Sequence, residues 1–251
     1  MRLTVIGCAG SFPGPDSPAS CYLVQHEGHS IVLDLGNGAL GPLARHVDIR
    51  ALDAVLLSHL HADHCIDLTG MYVALTYHPD GPSRPVAVVG PEGTGRRMAD
   101  AYRAGPGGRE DAMSRALDFH DHGPRPRRIG PFVVTAVPVV HPVTAYALRV
   151  EAGGSALVFS GDTGPTPALV ELARGADLAL FEASFLTGGA NPPRLHLTAA
   201  EAADHARRAG IGRLLLTHLV AWNDPALSLA EGREAFDGDV ALAAPGMVVE
   251  L

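Results

Sequence analysis

Six consecutive residues concentrate side chains that bind metal ions. The hexapeptide His59-Leu-His61-Ala-Asp63-His64 holds three imidazoles and one carboxylate. Imidazole binds borderline divalent ions such as zinc, nickel and copper, and a carboxylate adds charge and an oxygen ligand. His59 and His61 are two residues apart, so they point to the same side of an extended segment. One ion does not easily accept all four groups. The spacing therefore predicts two neighbouring ions rather than the alternative, a solvated polar turn.

Two ions need further ligands, and the ends of apolar strands are the places to look for them. The apolar run Ala54 to Leu57 delivers the hexapeptide to a strand end. Later apolar runs also end in side chains that can bind metal, namely His141, Asp162 and His218. A single histidine at a strand end is more often a surface residue. Its recurrence after the hexapeptide favours metal ligation.

The order of these motifs resembles that of the metallo-β-lactamase superfamily, and the resemblance covers nearly the whole chain. It implies two divalent metal ions, with zinc expected and manganese or iron also compatible. The implied ligands are His59, His61 and His141 for one ion, Asp63, His64 and His218 for the other, and Asp162 as a bridge. A hydroxide held between the ions is also implied, and it is nucleophilic at neutral pH because metal coordination acidifies water. Asp63 is implied to orient this nucleophile.

Asp34 lies in the phrase Ile-Val-Leu-Asp-Leu-Gly-Asn-Gly and matches an early aspartate that follows the third strand in this superfamily. The resemblance implies that Asp34 hydrogen-bonds a metal ligand and does not bind metal itself. The alternative is a cap or Asx turn before a helix that Asn37 and Gly38 open. The sequence leaves both interpretations open.

The segment Leu195 to Ala203 resembles the ribonuclease Z branch of the superfamily. In that branch a histidine just before a helix assists the departure of the leaving alkoxide, and His196 is the matching position. Thr198 and Glu201 also form the pattern of a capping box, in which each side chain bonds the other residue's backbone N–H. A capping box explains Thr198 and Glu201 but not His196, so we predict that His196 is catalytic.

Ribonuclease Z enzymes that process tRNA carry a long arm between the third histidine and the bridging aspartate. Here the interval from His141 to Asp162 is filled by two predicted strands, so no arm fits. The formal net charge of −8 agrees, because a protein that neutralises many phosphates is expected to be basic. The sequence thus predicts a small phosphodiester substrate and argues against nucleic acid as a partner.

Members of this branch without the arm include the atypical class II cyclic nucleotide phosphodiesterases of actinobacteria, which the chain resembles in several phrases. These phrases lie at 10–20, 56–65, 160–164 and 214–218. The resemblance implies hydrolysis of 3′,5′-cyclic nucleotides to 5′-nucleoside monophosphates, with His196 protonating the departing 3′ oxygen. It also implies a homodimer. Trp222, the single tryptophan, either stacks on a base or covers the core.

Three other functions remain open. A tRNA 3′ endonuclease would use the same metals and His196, but the missing arm and acidic charge count against it. Hydrolysis of a lactone, lactam or thioester would use the same hydroxide, yet His196 before its helix is better explained by a phosphodiester leaving group. A non-catalytic metal-binding module is disfavoured by the complete set of candidate ligands.

Strands and helices alternate along the chain, and we expect an α+β fold in which residues 1–251 form one domain. The resemblance implies a four-layer sandwich of two mixed β-sheets with helices on the outer faces. The predicted strands are 2–7, 21–26, 30–34, 53–57, 85–90, 131–139, 145–151, 155–159, 177–182, 213–217 and 246–251. The predicted helices are 38–46, 64–77, 91–104, 166–174, 198–209 and 228–236. The Arg-, Gly- and Pro-rich stretch 104–130 is interpreted as an irregular lid or oligomer contact.

Hydrophobic residues make up 47% of the chain, enough for a sizeable core. No apolar run approaches the roughly 18 residues of a membrane span. The first residues read as a strand rather than as a signal peptide, so the expected location is the cytoplasm.

Overall fold

The computed structural model describes residues 1–81, 84–103 and 113–251. In this part of the chain the strands form two seven-stranded sheets. In chain order the strands are β1 (Arg2–Gly7), β2 (Cys21–His26), β3 (His29–Leu33), β4 (Ala54–Leu56), β5 (Val86–Gly90), β6 (Leu117–Asp121), β7 (Arg127–Ile129), β8 (Phe132–Pro138), β9 (Tyr146–Ala152), β10 (Ser155–Phe159), β11 (Leu178–Glu182), β12 (Arg213–Thr217), β13 (Asp239–Leu242) and β14 (Val248–Glu250). The first sheet has the order β14-β1-β2-β3-β4-β5-β6 and the second the order β13-β12-β11-β10-β9-β8-β7.

The helices lie between these strands, and a short 3₁₀ helix precedes β4. They are α1 (Leu40–Leu43), the 3₁₀ helix Ile49–Ala51, α2 (Ala62–Cys65), α3 (Leu68–Thr76), α4 (Thr94–Tyr102), α5 (Pro167–Ala173), α6 (Ala199–Ala209) and α7 (Pro225–Ala235). The capping box predicted at the start of α6 is confirmed, with both reciprocal bonds present. None of the helices in the described ranges is both long enough and apolar enough to cross a membrane.

Side chains on successive strand residues point to opposite faces, and both faces of the central strands are buried. In β3, Ile31 and Leu33 pack into the space between the two sheets, whereas Val32 packs under the helices of the first half. In β10, Phe159 faces the space between the sheets and Val158 faces the helices of the second half. Three apolar layers therefore separate four layers of structure. The predicted four-layer sandwich with two mixed sheets is confirmed.

Parallel strands in each sheet send their carboxyl ends to the same edge. Strands β3 to β6 are parallel to one another in the first sheet, and β10 to β13 are parallel in the second. In sheets of this kind, functional side chains gather beyond the carboxyl ends of the strands. The loops that follow β3, β4, β10, β11 and β12 all contribute to the site described below.

The predicted helix 64–77 is wrong as a single element. In an unbroken helix the Asp67 N–H would bond within the helix, but it donates instead to the Leu35 carbonyl at 3.2 Å. The Asp67 carboxylate also accepts the Leu40 N–H at 2.9 Å. These two bonds tie the chain to the preceding loop and separate α2 from α3. The predicted helix 38–46 likewise shortens to α1, because the chain beyond it continues as tight turns.

Three strands that the sequence analysis missed are β6, β7 and β13, and each lies at the edge of a sheet. Edge strands are short and carry polar residues because one side of the strand has no partner. β6 and β7 therefore lack the apolar runs by which the inner strands were found, whereas β13 is apolar after Asp239 but has only four residues. β6 and β7 fall within 104–130, so its interpretation as irregular is wrong for these strands. Residues 104–112 lie outside the described residues, and a lid or oligomer contact there stays a prediction.

Candidate metal centre

The first group of predicted ligands comes from the loop after β4 and from the segment after β8. His59 Nε2 lies 3.1 Å from His61 Nδ1, and His141 Nε2 lies 3.3 Å from the same atom. Asp162, which follows β10, places Oδ2 3.6 Å from His59 Nε2. The three histidines and Asp162 offer ligand atoms that all lie within 4.8 Å of one another. This group is called cluster A below.

The second group, called cluster B, joins α2 to the ends of β10 and β12. The Nε2 atoms of His64 and His218 are 3.1 Å apart. Asp63 Oδ2 lies 3.1 Å from His218 Nε2 and 3.3 Å from His64 Nε2. Asp162 Oδ1 lies 3.2 Å from His64 Nε2 and 3.4 Å from His218 Nε2. Asp162 thus directs one carboxylate oxygen at each cluster, which is the arrangement of a bridging ligand.

Hydrogen bonds on the far side of the rings determine which imidazole nitrogen is free in two of these histidines. His141 Nδ1 lies 2.9 Å from the Leu195 carbonyl, which can only accept, so Nδ1 carries the proton. His64 Nδ1 lies 2.7 Å from Asp34 Oδ2, and the same reasoning applies to that carboxylate. In the neutral form of both rings, the lone pair of Nε2 is therefore left to face its cluster.

Two serines have the same effect on His59 and His218. The Ser58 hydroxyl donates to Asp34 at 2.7 Å, so it is an acceptor for His59 Nδ1 at 3.1 Å. The Ser184 hydroxyl lies 2.7 Å from His218 Nδ1. It can donate its own proton to the carboxylate of Glu182, the last residue of β11, at 3.0 Å. Partners that orient ligand histidines in this way are typical of metal sites.

With one proton on each ring, the converging atoms are acceptors crowded against acceptors. Such atoms repel one another at 3.1 to 3.4 Å unless a cation lies among them. Asp162 Oδ1 is buried and makes no hydrogen bond to the described residues, a costly state for a carboxylate oxygen. Nitrogen and carboxylate oxygen are also the donor set that divalent ions such as zinc accept. The residues present fit two divalent metal ions.

The pKa values of the ion-free cluster agree with a cation site. Burial disfavours the charged form of Asp162, but His218, His64 and His59 hold the pKa of its carboxyl well below the usual range. Burial likewise opposes the charge on His64, but Asp162 and Asp34 raise its pKa well above the ordinary value. In the ion-free protein, a second proton on His64 thus supplies the positive charge that a metal ion would supply at cluster B. Metal binding at cluster B has to displace that proton.

Asp34 contacts the cluster only through its neighbours. Its fully buried carboxylate accepts the Ser58 N–H at 2.6 Å and the Ser58 hydroxyl and His64 Nδ1 at 2.7 Å each. None of these bonds caps a helix, so the Asx-turn alternative does not describe its side chain. Asp34 and His218 also adopt left-handed backbone angles, with φ of 56° and 55°. Strain of this kind persists where the surrounding structure fixes a functional side chain.

We predict that Asp34→Asn lowers metal affinity by about 10- to 100-fold, because His64 loses the charged partner that orients it. Competition with a chelator of known affinity measures the change. Asp53→Asn is the matched control, since Asp53 pairs with His29 at 3.2 Å in a second aspartate–histidine contact away from the clusters. Equal affinity in wild type and the Asp34 variant would contradict the role given to this carboxylate.

His196 lies beside both clusters and is held by a glutamate at the end of β11. Its Nδ1 is 2.9 Å from Glu182 Oε1 and 3.9 Å from Asp162 Oδ2. Burial lowers the pKa of His196, but the Glu182 carboxylate more than offsets this and raises the pKa to about 9. Glu182 thus favours the protonated imidazole, which can donate a proton from Nε2.

Glu182 was missed in the sequence, although a signal for it was present. It ends an apolar strand in the same way as the predicted ligands do. It is fully buried and accepts the Thr163 N–H at 2.8 Å and the Ser184 hydroxyl at 3.0 Å in addition to His196. Its carboxylate thus connects His196 to Ser184, the serine that contacts His218 Nδ1. Ser58 and Ser184 were also missed, since nothing in their local sequence distinguishes them from other serines.

The predicted site residues thus lie together in the structure, with Asp34 one contact behind them. Ser11, in the loop between β1 and β2, places its N–H 3.3 Å from His218 Nε2, so this loop lies over cluster B. His196 also lines a cleft of about 430 Å³ that opens next to the clusters.

Comparisons with known proteins identify the family. The sequence model of the Beta-lactamase superfamily domain matches residues 29–219. The uncharacterized protein Rv1339 of Mycobacterium tuberculosis is 43% identical over 244 residues, which cover 96% of this chain and 88% of that protein. Ribonuclease Z of Myxococcus xanthus is 30% identical, with 100% and 98% of the two chains covered.

The probable metallo-hydrolase YhfI of Bacillus subtilis is 32% identical over the full length of both chains. In its crystal structure it superposes with a TM-score of 0.88 over 99% of each chain, at 29% identity. The histidine and aspartate clusters described above can hold metal ions in this fold. The chain therefore belongs to the beta-lactamase superfamily and is a metal-dependent hydrolase.

Proposed function

We propose that the protein is a phosphodiesterase that hydrolyses 3′,5′-cyclic nucleotides to 5′-nucleoside monophosphates. It uses two divalent metal ions, and zinc is the metal that we expect. The observation that carries this proposal is the pair of His196 and Glu182 beside the bridging carboxylate. A proton donor at this position suits a reaction in which an alkoxide leaves. Hydrolysis of a thioester has less need of such a donor, because a thiolate is a much weaker base than an alkoxide.

Ions held by clusters A and B would polarise a phosphoryl oxygen and acidify a coordinated water. The protein's own groups do the rest. Asp63 is ionised, because its close contacts with His218 and His64 outweigh its burial and hold its pKa far below the ordinary value. Its Oδ2 can accept a hydrogen bond from the attacking water and orient it. His196 Nε2 gives its proton to the departing 3′ oxygen, and Glu182 stabilises the imidazolium beforehand.

A small substrate is favoured over tRNA by the segment between His141 and Asp162. This segment contains β9 and β10, which are joined by a turn at Gly153 and Gly154 and leave no room for a protruding arm. The net charge of −8 also disfavours a long polyanion. The similarity to ribonuclease Z of Myxococcus xanthus supports phosphodiester chemistry for this arrangement of residues.

The test is turnover of 3′,5′-cAMP by purified protein reconstituted with zinc or manganese, with the nucleotides separated by chromatography. We expect 5′-AMP from the wild type and none from His64→Ala, which loses a ligand of cluster B. Bis(p-nitrophenyl) phosphate is assayed in parallel as a general phosphodiester. Metal-loaded protein that hydrolyses this ester but not cAMP would overturn the cyclic nucleotide assignment and keep the phosphodiesterase chemistry. Protein inert on both substrates would contradict the proposal as a whole.

A further inference from the structure

The single tryptophan of the chain is exposed to solvent at the mouth of the cleft that His196 lines. Trp222 is 72% exposed, so the alternative in which it covers the core is wrong. It lies in a turn closed by a bond from the Asn223 N–H to the Val220 carbonyl at 3.0 Å. The Asn223 side chain donates to the Ser184 carbonyl at 2.9 Å and fastens this turn beside cluster B. The indole is therefore exposed but held in place.

A second aromatic ring supports the indole from outside the cleft. Phe12 is 38% exposed, and its ring centroid lies 5.2 Å from that of Trp222. The loop that carries Phe12 is bonded to the segment after β12, because the Gly10 N–H donates to the Leu219 carbonyl and the Leu219 N–H donates to the Cys8 carbonyl. Both rings are thus connected by backbone bonds to the segment that carries His218. Two exposed aromatic rings in contact at the mouth of a cleft are typical of a ligand-binding surface.

The cleft between Trp222 and His196 has the size and lining of a small-molecule site. Its volume of about 430 Å³ falls within the range of roughly 300 to 1,000 Å³ found for such sites. Apolar contacts come from Phe185, Leu186 and Val220. A molecule that fills the cleft therefore has its reacting end at His196 and an apolar part near the indole.

The polar groups of the cleft indicate what kind of apolar part would fit. The side-chain amides of Asn191 and Asn223 both line it. Each uses its NH₂ group to bond a backbone carbonyl, that of Leu186 and that of Ser184 respectively, at 2.9 Å. Carbonyls only accept, so these bonds leave the Oδ1 atom of each amide to accept from a ligand. The cleft offers an aromatic face and hydrogen-bond acceptors, which match a flat ring with N–H groups on its edge.

We propose that this cleft binds the nucleobase of the substrate, stacked on the exposed face of Trp222 with its N–H groups directed at Asn191 and Asn223. The inference rests on the proposed function, because it takes the phosphate of the same molecule to lie at the metal clusters. Stacking on an aromatic side chain accepts any base, whereas the two amide oxygens favour bases with exocyclic amino groups such as adenine.

Fluorescence of Trp222 tests the site without any turnover, since the chain contains one tryptophan. Metal-reconstituted protein is excited where nucleotides do not absorb and is titrated with 5′-AMP or with ribose 5-phosphate, which lacks the base. We expect saturable quenching by 5′-AMP and no comparable change with ribose 5-phosphate. Absence of quenching by 5′-AMP, or equal effects of the two ligands, would overturn the inference.

Calorimetry with variants gives the size of the effect. Trp222→Ala is expected to weaken 5′-AMP binding about tenfold and to leave ribose 5-phosphate binding unchanged, and Trp222→Phe should restore most of the difference. Tyr77→Ala is the matched control, because Tyr77 is an aromatic residue of similar exposure, 69%, that does not line the cleft. Equal loss of both ligands in Trp222→Ala would overturn the inference. Base-dependent binding in a protein that fails to hydrolyse cAMP would uphold this site and contradict the proposed function.

Discussion

Replacing Asp162 with alanine is expected to leave the protein unable to hold both metal ions and to reduce turnover by about 10⁴-fold or more, because the catalytic centre itself is lost. Among the residues that the structure describes, Asp162 is the one whose two oxygens face different clusters, 3.6 Å from His59 and 3.2 Å from His64. Its removal therefore weakens two sites at once, whereas loss of a histidine removes one ligand from one site. Metal content by mass spectrometry and hydrolysis of bis(p-nitrophenyl) phosphate measure the two effects.

The expected loss has an electrostatic cause as well as a geometric one. Without this carboxylate, buried histidines face one another with less negative charge to hold a cation among them. Asp162→Asn keeps the volume of the side chain and removes its charge, so it separates the effect of charge from that of a cavity. We expect it to behave much like the alanine variant. Two bound ions in either variant would exclude the bridging role.

The control for this experiment contacts the other end of the strand that Asp162 follows. Asp177 accepts the Ala156 N–H at 2.8 Å at the opposite end of β10, so its carboxylate is structural and far from the clusters. Asp177→Ala should keep both ions and full activity. Comparable metal loss in this variant would show that the fold, and not the site, had been damaged.

The strand-end argument located these residues in the sequence for a physical reason. Side chains that follow parallel strands must meet at one edge of the sheets, whatever the details of packing. His141, Asp162 and His218 could thus be placed near the hexapeptide without knowledge of the register. The argument fails at sheet edges, where β6 and β7 are polar and β13 has only four residues.

Residues that act through a hydrogen bond were harder to predict. Glu182 was visible as a strand end, but its meaning depends on a 2.9 Å contact with His196, and these residues are brought together only by folding. Ser58 and Ser184 each fix the proton on one imidazole nitrogen, and a serine carries no sequence signal for that role. The exposure of Trp222 could not be predicted either. An apolar residue near a strand end can be buried or exposed, depending on the conformation of the turn that carries it.

Replacing His196 with alanine is expected to keep both metal ions and to lower turnover of 3′,5′-cAMP by about 10² to 10⁴, the usual contribution of a positioned proton donor. The alternative is that His196 binds metal, since Glu182, His196 and His218 also offer ligand atoms close to one another. The contacts favour a proton donor. Glu182 already accepts a hydrogen bond from the Thr163 N–H at 2.8 Å. It also accepts one from the protonated Nδ1 of His196. Unchanged metal content in the variant would exclude the ligand role, and loss of an ion would establish it.

The leaving group provides the sharper discrimination for His196. A ribose 3′ alkoxide needs a proton in order to depart, whereas p-nitrophenolate leaves readily without one. The loss caused by His196→Ala should therefore be large with cAMP and small with bis(p-nitrophenyl) phosphate. His120→Ala is the matched control, because His120 pairs with Asp118 at 2.9 Å, the same distance as His196 and Glu182, on an exposed edge strand. Equal losses on both substrates would mean that His196 supports the metal centre or the nucleophile, and the departing oxygen would then take its proton from another group.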